Sequence, residues 1–457
     1  MTISTAIPTK CNVAILAGGM GTRLRSRTGD IPKPMAHLCG KPVLEHLIDM
    51  CRRYGLLHIA LLVHHRHDAI SDYFGDGSKF GVALTYRIEQ DARGTAGALN
   101  DALPVLDDVF VVLYGDTYAD IDLRRMLKWH VASVSQATIF VHPNDHPTDS
   151  DLIEMTSDHH VVAVHPYPHP AGALLRNMVN AGLYVFSRDA VSAYLPESGK
   201  SDIAKHTLPA LLDGGVRVNG YVSPEYIKDM GTPERLDKVE AHIASGLPGR
   251  LSGRALRRAV FLDRDGTINV EVGHLKEPDQ VTLIEGSARG IKCLNGSGHL
   301  AIVVTNQPVL ARGDVDPPGL ERIHARIDQL LGAEGAYLDR LYFCPHHPDR
   351  GFEGEVIALK MTCDCRKPSP GLINRAIDDL GIDPALSWMV GDSYADVSAG
   401  HRAGLRTILI ETGRAGSDQV NFYEPDHRQP DLESAIAFIL AEADTSGRER
   451  VAVVDKQ

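Results

Sequence analysis

Two aspartates stand two positions apart at the end of an apolar run in the second half of the chain. The run Ala259-Val260-Phe261-Leu262 has the composition of a buried strand, and Asp263-Arg264-Asp265-Gly266-Thr267 follows it. A strand in an open α/β sheet delivers such carboxylates to the edge where ligands bind. Asp263 is predicted to attack a phosphoryl group, and Asp265 to protonate the leaving alkoxide and then accept a proton from water. The alternative is an acidic turn after a buried strand; the strand before the pair and Gly-Thr after it favour catalysis.

Further polar residues follow apolar runs, or stand just before a predicted helix, later in the chain. Thr305 ends the run that begins at His299, and its hydroxyl could bond a transferring phosphoryl oxygen. Lys367 would neutralise the phosphate and the nucleophile, while Arg366 would reach a second anionic group of the substrate. Asp392 ends the run Met389-Val390-Gly391 and is predicted to bind Mg²⁺.

These four segments, in this order, resemble the motifs of the haloacid-dehalogenase-like (HAD) phosphatases. The resemblance implies a Rossmannoid fold with Asp263, Asp265 and Asp392 around Mg²⁺. It also implies that Asn306 contacts the substrate. The loop 269–283 is too short for a large cap domain, so we expect a minimal cap and a fairly open site.

A loop before Lys367 carries thiols in metal-ligand spacing. Cys344-Pro345-His346-His347 lies on one side of it and Cys363-Asp364-Cys365 on the other. Three thiolates and one imidazole are typical of a closed tetrahedral zinc site. His347 competes with His346 as the imidazole; the family resemblance favours His346. The predicted zinc ligands are Cys344, His346, Cys363 and Cys365, and free cysteines in a loop are the alternative.

The zinc loop narrows the resemblance to two kinds of phosphatase, acting on histidinol phosphate or on D-glycero-D-manno-heptose 1,7-bisphosphate. Ala311-Arg312-Gly313 and Lys367-Pro368-Ser369-Pro370-Gly371 look more like the heptose enzymes. That likeness implies that Arg312 helps bind the sugar bisphosphate. Pro308 departs from the family, because it removes a backbone N–H. If that amide contacts phosphate, turnover or specificity should suffer.

The first half opens with a strand-like run, Asn12–Ala17, that leads into a glycine-rich turn. Such a turn can bring backbone N–H groups close to phosphate oxygens. Arg23 and Lys33 could stabilise the charge of a triphosphate and of its leaving pyrophosphate. The residues predicted to form the nucleotide cradle are Gly18, Gly19, Gly21 and Thr22.

Together these segments resemble the signature of sugar-1-phosphate nucleotidyltransferases. Asp116 follows the apolar run Val109–Tyr114, and the resemblance pairs it with Asp229 as a second Mg²⁺ site. The resemblance also implies that Gly94 lies at the base and ribose and that Asn180 lies at the sugar. The small residues after Gly94 could equally serve close helix packing.

One departure affects the transferase half. The family usually has a Glu-Lys pair before the sugar-binding segment, and that lysine holds the sugar phosphate. This chain has Val164-His165-Pro166-Tyr167-Pro168-His169 there. His165, His169 or Arg176 could substitute, or sugar handling could be altered. A first half that only binds nucleotide, as a regulatory or scaffold domain, is the remaining alternative.

The elements that must position these residues alternate between strands and helices, which predicts an α/β protein of two domains. We expect a Rossmann-like nucleotidyltransferase (GT-A-like) fold first and an HAD-like fold second. The predicted bounds are 10–245 for the first domain, 246–256 for a Gly/Pro/Arg-rich linker, 257–430 for the second domain and 431–457 for a C-terminal helix and tail. The helix is expected over Leu432–Ala443.

Bulk composition narrows the possible partners. The net charge of −12 argues against nucleic acid and anionic membrane surfaces. No signal peptide or membrane-length apolar run is visible. The thiol pattern suits a reducing compartment, so we expect a cytoplasmic protein with small-molecule substrates.

The two resemblances explain each other. A phosphatase that removes the 7-phosphate of heptose 1,7-bisphosphate would supply heptose 1-phosphate for nucleotide transfer. Heptose-1-phosphate guanylyltransferases are the most similar type of transferase, which implies GTP and the α-anomer. The alternative keeps both chemistries with other sugars: a mannose-type transferase or a histidinol-phosphate-type phosphatase.

Overall fold

The structure is a computed structural model that describes residues 12–19, 24, 29, 31–418 and 423–454, with side chains for all of these except 12 and 444–454. Gly21, Thr22 and Arg23, predicted to bind nucleotide, lie outside the described residues. The chain forms two compact units. The first comprises the chain up to His142, Asp149–His169 and Met178–Ser252; the second comprises Pro143–Thr148, Pro170–Asn177 and the chain from Gly253 onward.

The first unit is built on strands and helices in alternation. Its described elements are β1 (Asn12–Leu16), β2 (His37–Leu38), β3 (Lys41–Pro42), α1 (Val43–Arg53), β4 (His58–Val63), α2 (His67–Phe74), β5 (Ala83–Ile88), α3 (Gly94–Ala102), β6 (Val109–Tyr114), β7 (Thr117–Asp120), α4 (Leu123–Ala132), β8 (Ala137–His142), β9 (Leu152–Met155), β10 (Val161–His165), β11 (Val179–Ser187), α5 (Arg188–Ser192), α6 (Leu208–Asp213), β12 (Val218–Val222), β13 (Tyr226–Asp229), α7 (Pro233–Ala244) and α8 (Leu247–Leu251). Single turns of other helix types lie at Lys33–Met35, Ser78–Phe80, Leu103–Val105 and Ile203–Thr207. Another, Pro147–Asp149, begins in residues assigned to the second unit and ends at Asp149 of the first.

A mixed sheet forms the centre of the first unit. Its order is β10-β9-β11-β6-β1-β4-β5, with β8 beside β11 and β12 beside β8. The strands β6, β1, β4 and β5 are parallel, and β11 runs antiparallel to β6. Side chains alternate between two cores along β1, because successive residues of a strand face opposite ways: Val13 and Ile15 lie in one core and Ala14 in the other. The sheet is therefore covered on both faces.

The second unit repeats a strand-helix pattern. Its described elements are β14 (Arg258–Leu262), α9 (Ser287–Ser297), β15 (His299–Asn306), α10 (Val309–Arg312), α11 (Pro317–Ala333), β16 (Arg340–Cys344), α12 (Gly371–Leu380), β17 (Trp388–Gly391), α13 (Tyr394–Arg402), β18 (Arg406–Ile410), β19 (His427–Gln429) and α14 (Leu432–Val454). Single 3₁₀ turns lie at Pro278–Gln280, Ile357–Leu359 and Pro384–Leu386.

Every strand pair of the second sheet is parallel, and the order is β16-β15-β14-β17-β18-β19. The chain winds outward from β14 in one direction and then from β17 in the other. Ligands of such sheets bind at the carboxyl ends of the strands where this reversal occurs. The two units confirm the predicted fold class of two α/β domains.

Two boundaries differ from the sequence expectation. The interval 246–256, predicted as a linker, contains α8, whose Leu247 and Leu251 are buried. The C-terminal helix continues to Val454, and its residues Leu432, Ala435, Ile436 and Ile439 belong to the core of the second unit. In the described part of the chain, no helix is both long enough and apolar enough to cross a membrane.

Candidate functional site

The nucleophile predicted from sequence lies at the reversal point of the second sheet. Asp263 follows β14 and Asp392 follows β17, and these two strands are hydrogen-bonded neighbours. Asp263 N donates to Val390 O at 3.0 Å, which extends the ladder by one residue and fixes the backbone of the nucleophile. The fold therefore brings together two acids that are far apart in the sequence.

Lys367 lies between two carboxylates. Its Nζ is 2.7 Å from Asp263 Oδ1 and 2.6 Å from Asp396 Oδ1, and its side chain is only 3% exposed. Because the ammonium group is buried, its charge is poorly screened and acts strongly on both carboxylates. Asp396, four residues after Asp392, is not among the site residues predicted from sequence.

Asp263, Asp392 and Asp396 offer carboxylate oxygens that all lie within 4.8 Å of one another. Burial and the charge of Asp396 raise the pKa of Asp263, although Lys367 partly opposes the shift. The same two causes raise the pKa of Asp392 to about 6. One lysine does not balance three buried carboxylates, so this group suits a hard divalent cation such as Mg²⁺.

The carboxylate of Asp265 has a different environment and does not belong to this group, so the role of Asp265 as a metal ligand stays a prediction. Arg264 Nη2 lies 3.0 and 2.8 Å from its two oxygens, Asn269 Nδ2 donates to Oδ1 at 2.9 Å, and Gln307 Nε2 donates to Oδ2 at 3.0 Å. Burial alone would raise the pKa of Asp265, but Arg264 and the hydrogen bonds outweigh burial and lower it. Asp265 is therefore ionised at neutral pH and ready to accept a proton.

The two residues that end β15 have unequal roles. Thr305 is buried, and its Oγ1 accepts from Gln307 Nε2 at 2.9 Å. Asn306 clamps the backbone of Lys367: its Nδ2 donates to Lys367 O at 3.0 Å and its Oδ1 accepts from Lys367 N at 3.0 Å. Asn306 therefore positions Lys367, and its contact with substrate stays a prediction, because its second amide N–H is not used by the lysine.

The predicted zinc ligands form a compact cluster. The Sγ atoms of Cys344 and Cys363 are 3.5 Å apart, and Cys365 Sγ lies 3.3 Å from Cys344 Sγ and 3.2 Å from Cys363 Sγ. His346 Nδ1 lies 3.7 Å from Cys344 Sγ and 3.3 Å from Cys365 Sγ. Zinc–sulfur bonds of about 2.3 Å place tetrahedral ligands slightly under 4 Å apart, so the donor set and spacing fit a zinc ion. His346, and not His347, belongs to this group.

Arginines predicted to bind substrate lie in contact with loop residues. Arg312, at the end of α10, contacts His274, and its guanidinium carbon is 4.6 Å from the centre of the Phe352 ring. Arg366 Nη1 donates to His346 O at 3.2 Å, which ties it to the cysteine cluster. Pro308 is accommodated as the N-cap of α10, where a missing N–H breaks no helical bond.

In the first unit, strand pairing explains the predicted convergence of Asp116 and Asp229. β7 and β13 form an antiparallel pair in which Asp229 lies opposite Thr117, and Met230 N donates to Asp116 O at 3.0 Å. Lys33 Nζ forms an ion pair with Asp116 Oδ2. Asp229 is held through both oxygens by Arg235 Nη1, at 2.9 and 2.8 Å, and Arg235 was not predicted.

Two of the predicted glycines, Gly18 and Gly94, lie close to atoms of other residues. A side chain at Gly18 would contact Glu89 and His64, whereas Gly19 has free space beside it. Gly94 has φ +75° and lies against the backbone of Ser201. Asn180 Oδ1 accepts from Gly182 N at 3.2 Å and so shapes a turn within β11. Which of these touch nucleotide or sugar stays a prediction.

The three residues considered as substitutes for the family's lysine lie in other arrangements. His165 Nε2 is 2.9 Å from Glu154 Oε2 across the pair β9–β10. His169 makes a ring contact with Tyr167. Arg176 belongs to the second unit, where it pairs with Asp328 and Glu321.

The fold and the two acid-rich strand ends define an α/β enzyme with one site in each unit. Residues 12–246, just over half of the 457-residue chain, match the family described as nucleotidyl transferase, and residues 364–435 match the HAD-hydrolase-like family. A D-glycero-beta-D-manno-heptose-1,7-bisphosphate 7-phosphatase of Haemophilus ducreyi is 42% identical over 161 residues, which cover 35% of this chain and 86% of that protein. The enzyme of the same name from Pasteurella multocida is 40% identical over 172 residues, covering 36% of this chain and 91% of that protein.

The chain belongs to the nucleotidyl transferase family, and its second half belongs to the family of these heptose-bisphosphate phosphatases. It is therefore an enzyme that carries a nucleotidyltransferase and a phosphatase in one chain, as the sequence predicts. Among solved structures, HddC of Yersinia pseudotuberculosis is 28% identical, with a TM-score of 0.45, covering 51% of this chain and 99% of that one.

Proposed function

We propose that the second unit hydrolyses the 7-phosphate of D-glycero-D-manno-heptose 1,7-bisphosphate, and that the first unit joins the resulting heptose 1-phosphate to a guanylyl group from GTP. The observation that carries the phosphatase part is the buried contact of Lys367 with Asp263 beside a group of three carboxylates. The substrate follows from the names of the relatives that match this half.

In the phosphatase step, Asp263 attacks phosphorus and the bond from phosphorus to the sugar oxygen breaks, giving an aspartyl-phosphate. Lys367 offsets negative charge on the nucleophile and the transferring group. The low pKa of Asp265 keeps this residue ionised, so it has no proton of its own to give to the leaving sugar oxygen. The proton comes instead from the bound phosphate ester and reaches the sugar oxygen through Asp265. Asp265 then takes a proton from the water that cleaves the intermediate. Mg²⁺ held by Asp263 and Asp392 would add Lewis-acid stabilisation of the phosphoryl oxygens.

The cysteine cluster places residues of the same site. Arg366 and Lys367 directly follow Cys365, and Arg366 donates to the backbone of His346. Zinc bound by the cluster would fix this loop, and with it the two cations.

We assign the 1-phosphate of the sugar to Arg312 and Arg366. A reducing, cytoplasmic compartment, as expected from sequence, would keep the three cysteines available to zinc.

In the transferase step, an oxygen of heptose 1-phosphate forms a bond to the α-phosphorus of GTP, the bond between the α-phosphorus and its bridging oxygen breaks, and pyrophosphate leaves. Lys33 is suited to offset charge on the phosphates, and Asp116 with Asp229 is suited to Mg²⁺. GTP follows from the pairing of the two activities rather than from a residue of the site.

The test is sequential. Heptose 1,7-bisphosphate, as each anomer, is incubated with enzyme and Mg²⁺ while phosphate is measured; GTP is then added and pyrophosphate is measured. The relatives are named for the β-anomer, whereas the guanylyl pairing implies the α-anomer, so the preferred anomer is an outcome. Asp263→Asn should abolish phosphate release, and Asp116→Asn should abolish only pyrophosphate release.

Each failure has a distinct meaning. Faster hydrolysis of histidinol phosphate or of other sugar phosphates would overturn the heptose assignment. Phosphate release without pyrophosphate from any of the four nucleoside triphosphates would leave a phosphatase joined to an inactive nucleotide-binding domain.

A further inference from the structure

Arg235 lies at the metal-binding end of the nucleotidyltransferase site. Its Nη1 contacts both carboxylate oxygens of Asp229, and its Nη2 lies 2.9 Å from Asp149 Oδ2. A Cβ added at Gly231 would lie 3.7 Å from Lys33 Nζ and 4.0 Å from Arg235 Nη1. The lysine and the arginine therefore flank the same small space, which only a residue without a side chain leaves open.

The position of Arg235 in its helix is unfavourable for a cation. It is the third residue of α7, whose cap is Thr232, and its own N–H donates to Thr232 Oγ1. The first turn of a helix carries partial positive charge, so a guanidinium is unfavourable there unless anions compensate it, as Asp229 and Asp149 do for Arg235. Local rules are broken in this way mostly at functional positions.

A planar guanidinium binds a carboxylate and a phosphate through the same two-pronged geometry. Arg235 now contacts both oxygens of Asp229 through Nη1 alone and Asp149 through Nη2, and its side chain is 29% exposed. His165, His169 and Arg176 contact Glu154, Tyr167 and Asp328, respectively. Arg235, unlike these three residues, contacts Asp229 of the paired aspartates.

We propose that Arg235 binds the phosphate of the sugar 1-phosphate in the nucleotidyltransferase site and replaces the lysine that this chain lacks. The inference rests on the proposed transferase function. Arg235 would turn its guanidinium from Asp229 to the phosphate that attacks GTP, and Asp229 would then be available to hold a metal ion. Arg235 orients this nucleophile and donates no proton, so the bonds formed and broken are those of the transferase step above.

The test compares Arg235→Ala and Arg235→Lys with the wild-type full-length enzyme. Loss of charge-assisted hydrogen bonds to a phosphate should raise the KM for heptose 1-phosphate by about 10- to 100-fold in Arg235→Ala, with the KM for GTP changed by less than about 3-fold. Arg235→Lys should recover part of the loss, and added guanidinium ion at low millimolar concentration should partly rescue Arg235→Ala. Arg52→Ala is the matched control, since Arg52 pairs with Asp49 on the exposed side of α1.

A second readout does not need turnover. Calorimetric titration of heptose 1-phosphate, with Mg²⁺ and a non-hydrolysable GTP analogue present, should show the same loss of affinity in Arg235→Ala. An unchanged sugar-phosphate affinity together with an altered Mg²⁺ requirement would overturn the proposal and leave Arg235 as a support for Asp229. If the wild-type enzyme transfers to a different sugar 1-phosphate, the proposed heptose substrate fails, and that sugar phosphate becomes the probe for Arg235.

Discussion

Arg176 Nε lies 2.7 Å from Asp328 Oδ2, and Arg176 Nη1 lies 2.9 Å from Glu321 Oε2. Both acids are on α11 of the second unit, whereas Arg176 comes from the segment Pro170–Asn177 in the first half of the sequence. On the same helix, His324 Nε2 accepts from Arg264 Nη1 at 3.4 Å. His324 Nδ1 lies 3.7 Å from Glu321 Oε1, so Glu321 and His324 lie between Arg176 and the arginine that holds Asp265.

Replacing this arginine should destabilise the second unit. Arg176→Ala leaves Asp328, which is only 6% exposed, without its cation, so we expect a loss of about 2 kcal/mol in the free energy of unfolding. Urea unfolding followed through phosphatase activity measures this. Arg375→Ala, which removes a mostly exposed arginine, should change stability by less than about 0.5 kcal/mol. Equal stability of the two variants would contradict the importance of the Arg176 pair.

The pH dependence of the phosphatase should depend on Gln307. Its amide donates to Asp265 Oδ2 and thereby favours the ionised carboxylate. Gln307→Leu removes that donor, so the pKa of Asp265 rises and the acidic limb of the kcat/KM profile moves to higher pH. A profile that keeps its acidic limb in place while activity falls would mean that Gln307 acts only on Thr305.

The cysteine cluster gives a prediction on metal content. Cys363→Ser removes one thiolate, so we expect the purified protein to lose about one zinc per chain and phosphatase kcat to fall about 10-fold or more, because Arg366 and Lys367 lose their anchored loop. Elemental analysis and phosphate release measure the two effects. Cys293→Ser changes an exposed free cysteine and should retain zinc and activity. Full zinc content in Cys363→Ser would remove that cysteine from the ligand set.

Stability of the first unit should fall in mild acid because of His130. This side chain on α4 is 2% exposed and lies 2.7 Å from Thr138 Oγ1, and burial lowers its pKa to about 4. The unfolded chain takes up its proton near pH 6.5 and the folded chain near pH 4. Stability is therefore complete above pH 6.5 and falls as pH decreases, by about 2 kcal/mol at pH 5.

Urea unfolding at pH 7.5 and pH 5, followed by the fluorescence of Trp129, measures this difference. His130→Gln should show a smaller decrease between the two pH values, although it is less stable at pH 7.5. A decrease of equal size in the variant would assign the acid sensitivity to other groups.

The sequence predicts the residues that end strands, because an apolar run followed by an acid is a local pattern. Asp263, Asp392 and Asp116 were all found this way, and the zinc spacing likewise selects four ligands that lie together. A contact between residues on two different elements shows no such local pattern in the sequence. Asn306 reaches Lys367 from the neighbouring strand end, and no local signal distinguishes that contact from one with substrate.

The same reason explains the missed residues. Gln307 and Asp396 stand inside segments singled out from the sequence, yet their roles depend on side-chain direction, which the fold decides. Arg235 lies three residues after the helix cap Thr232 and looks like any charged residue at a helix start. A cation in that first turn, opposed to the helix dipole, is the one signal that could have drawn attention to it.

The assignment of Pro170–Asn177 to the second unit also limits how the gene can be divided. A cut between the codons of Ser252 and Gly253 yields a phosphatase fragment that keeps Asp328 but not Arg176. In that fragment Asp328 would be buried without Arg176, the cation that pairs with it. Asp328→Asn removes the buried charge and should restore the yield of the fragment. The presence of both halves in one chain thus contributes to the stability of the second unit.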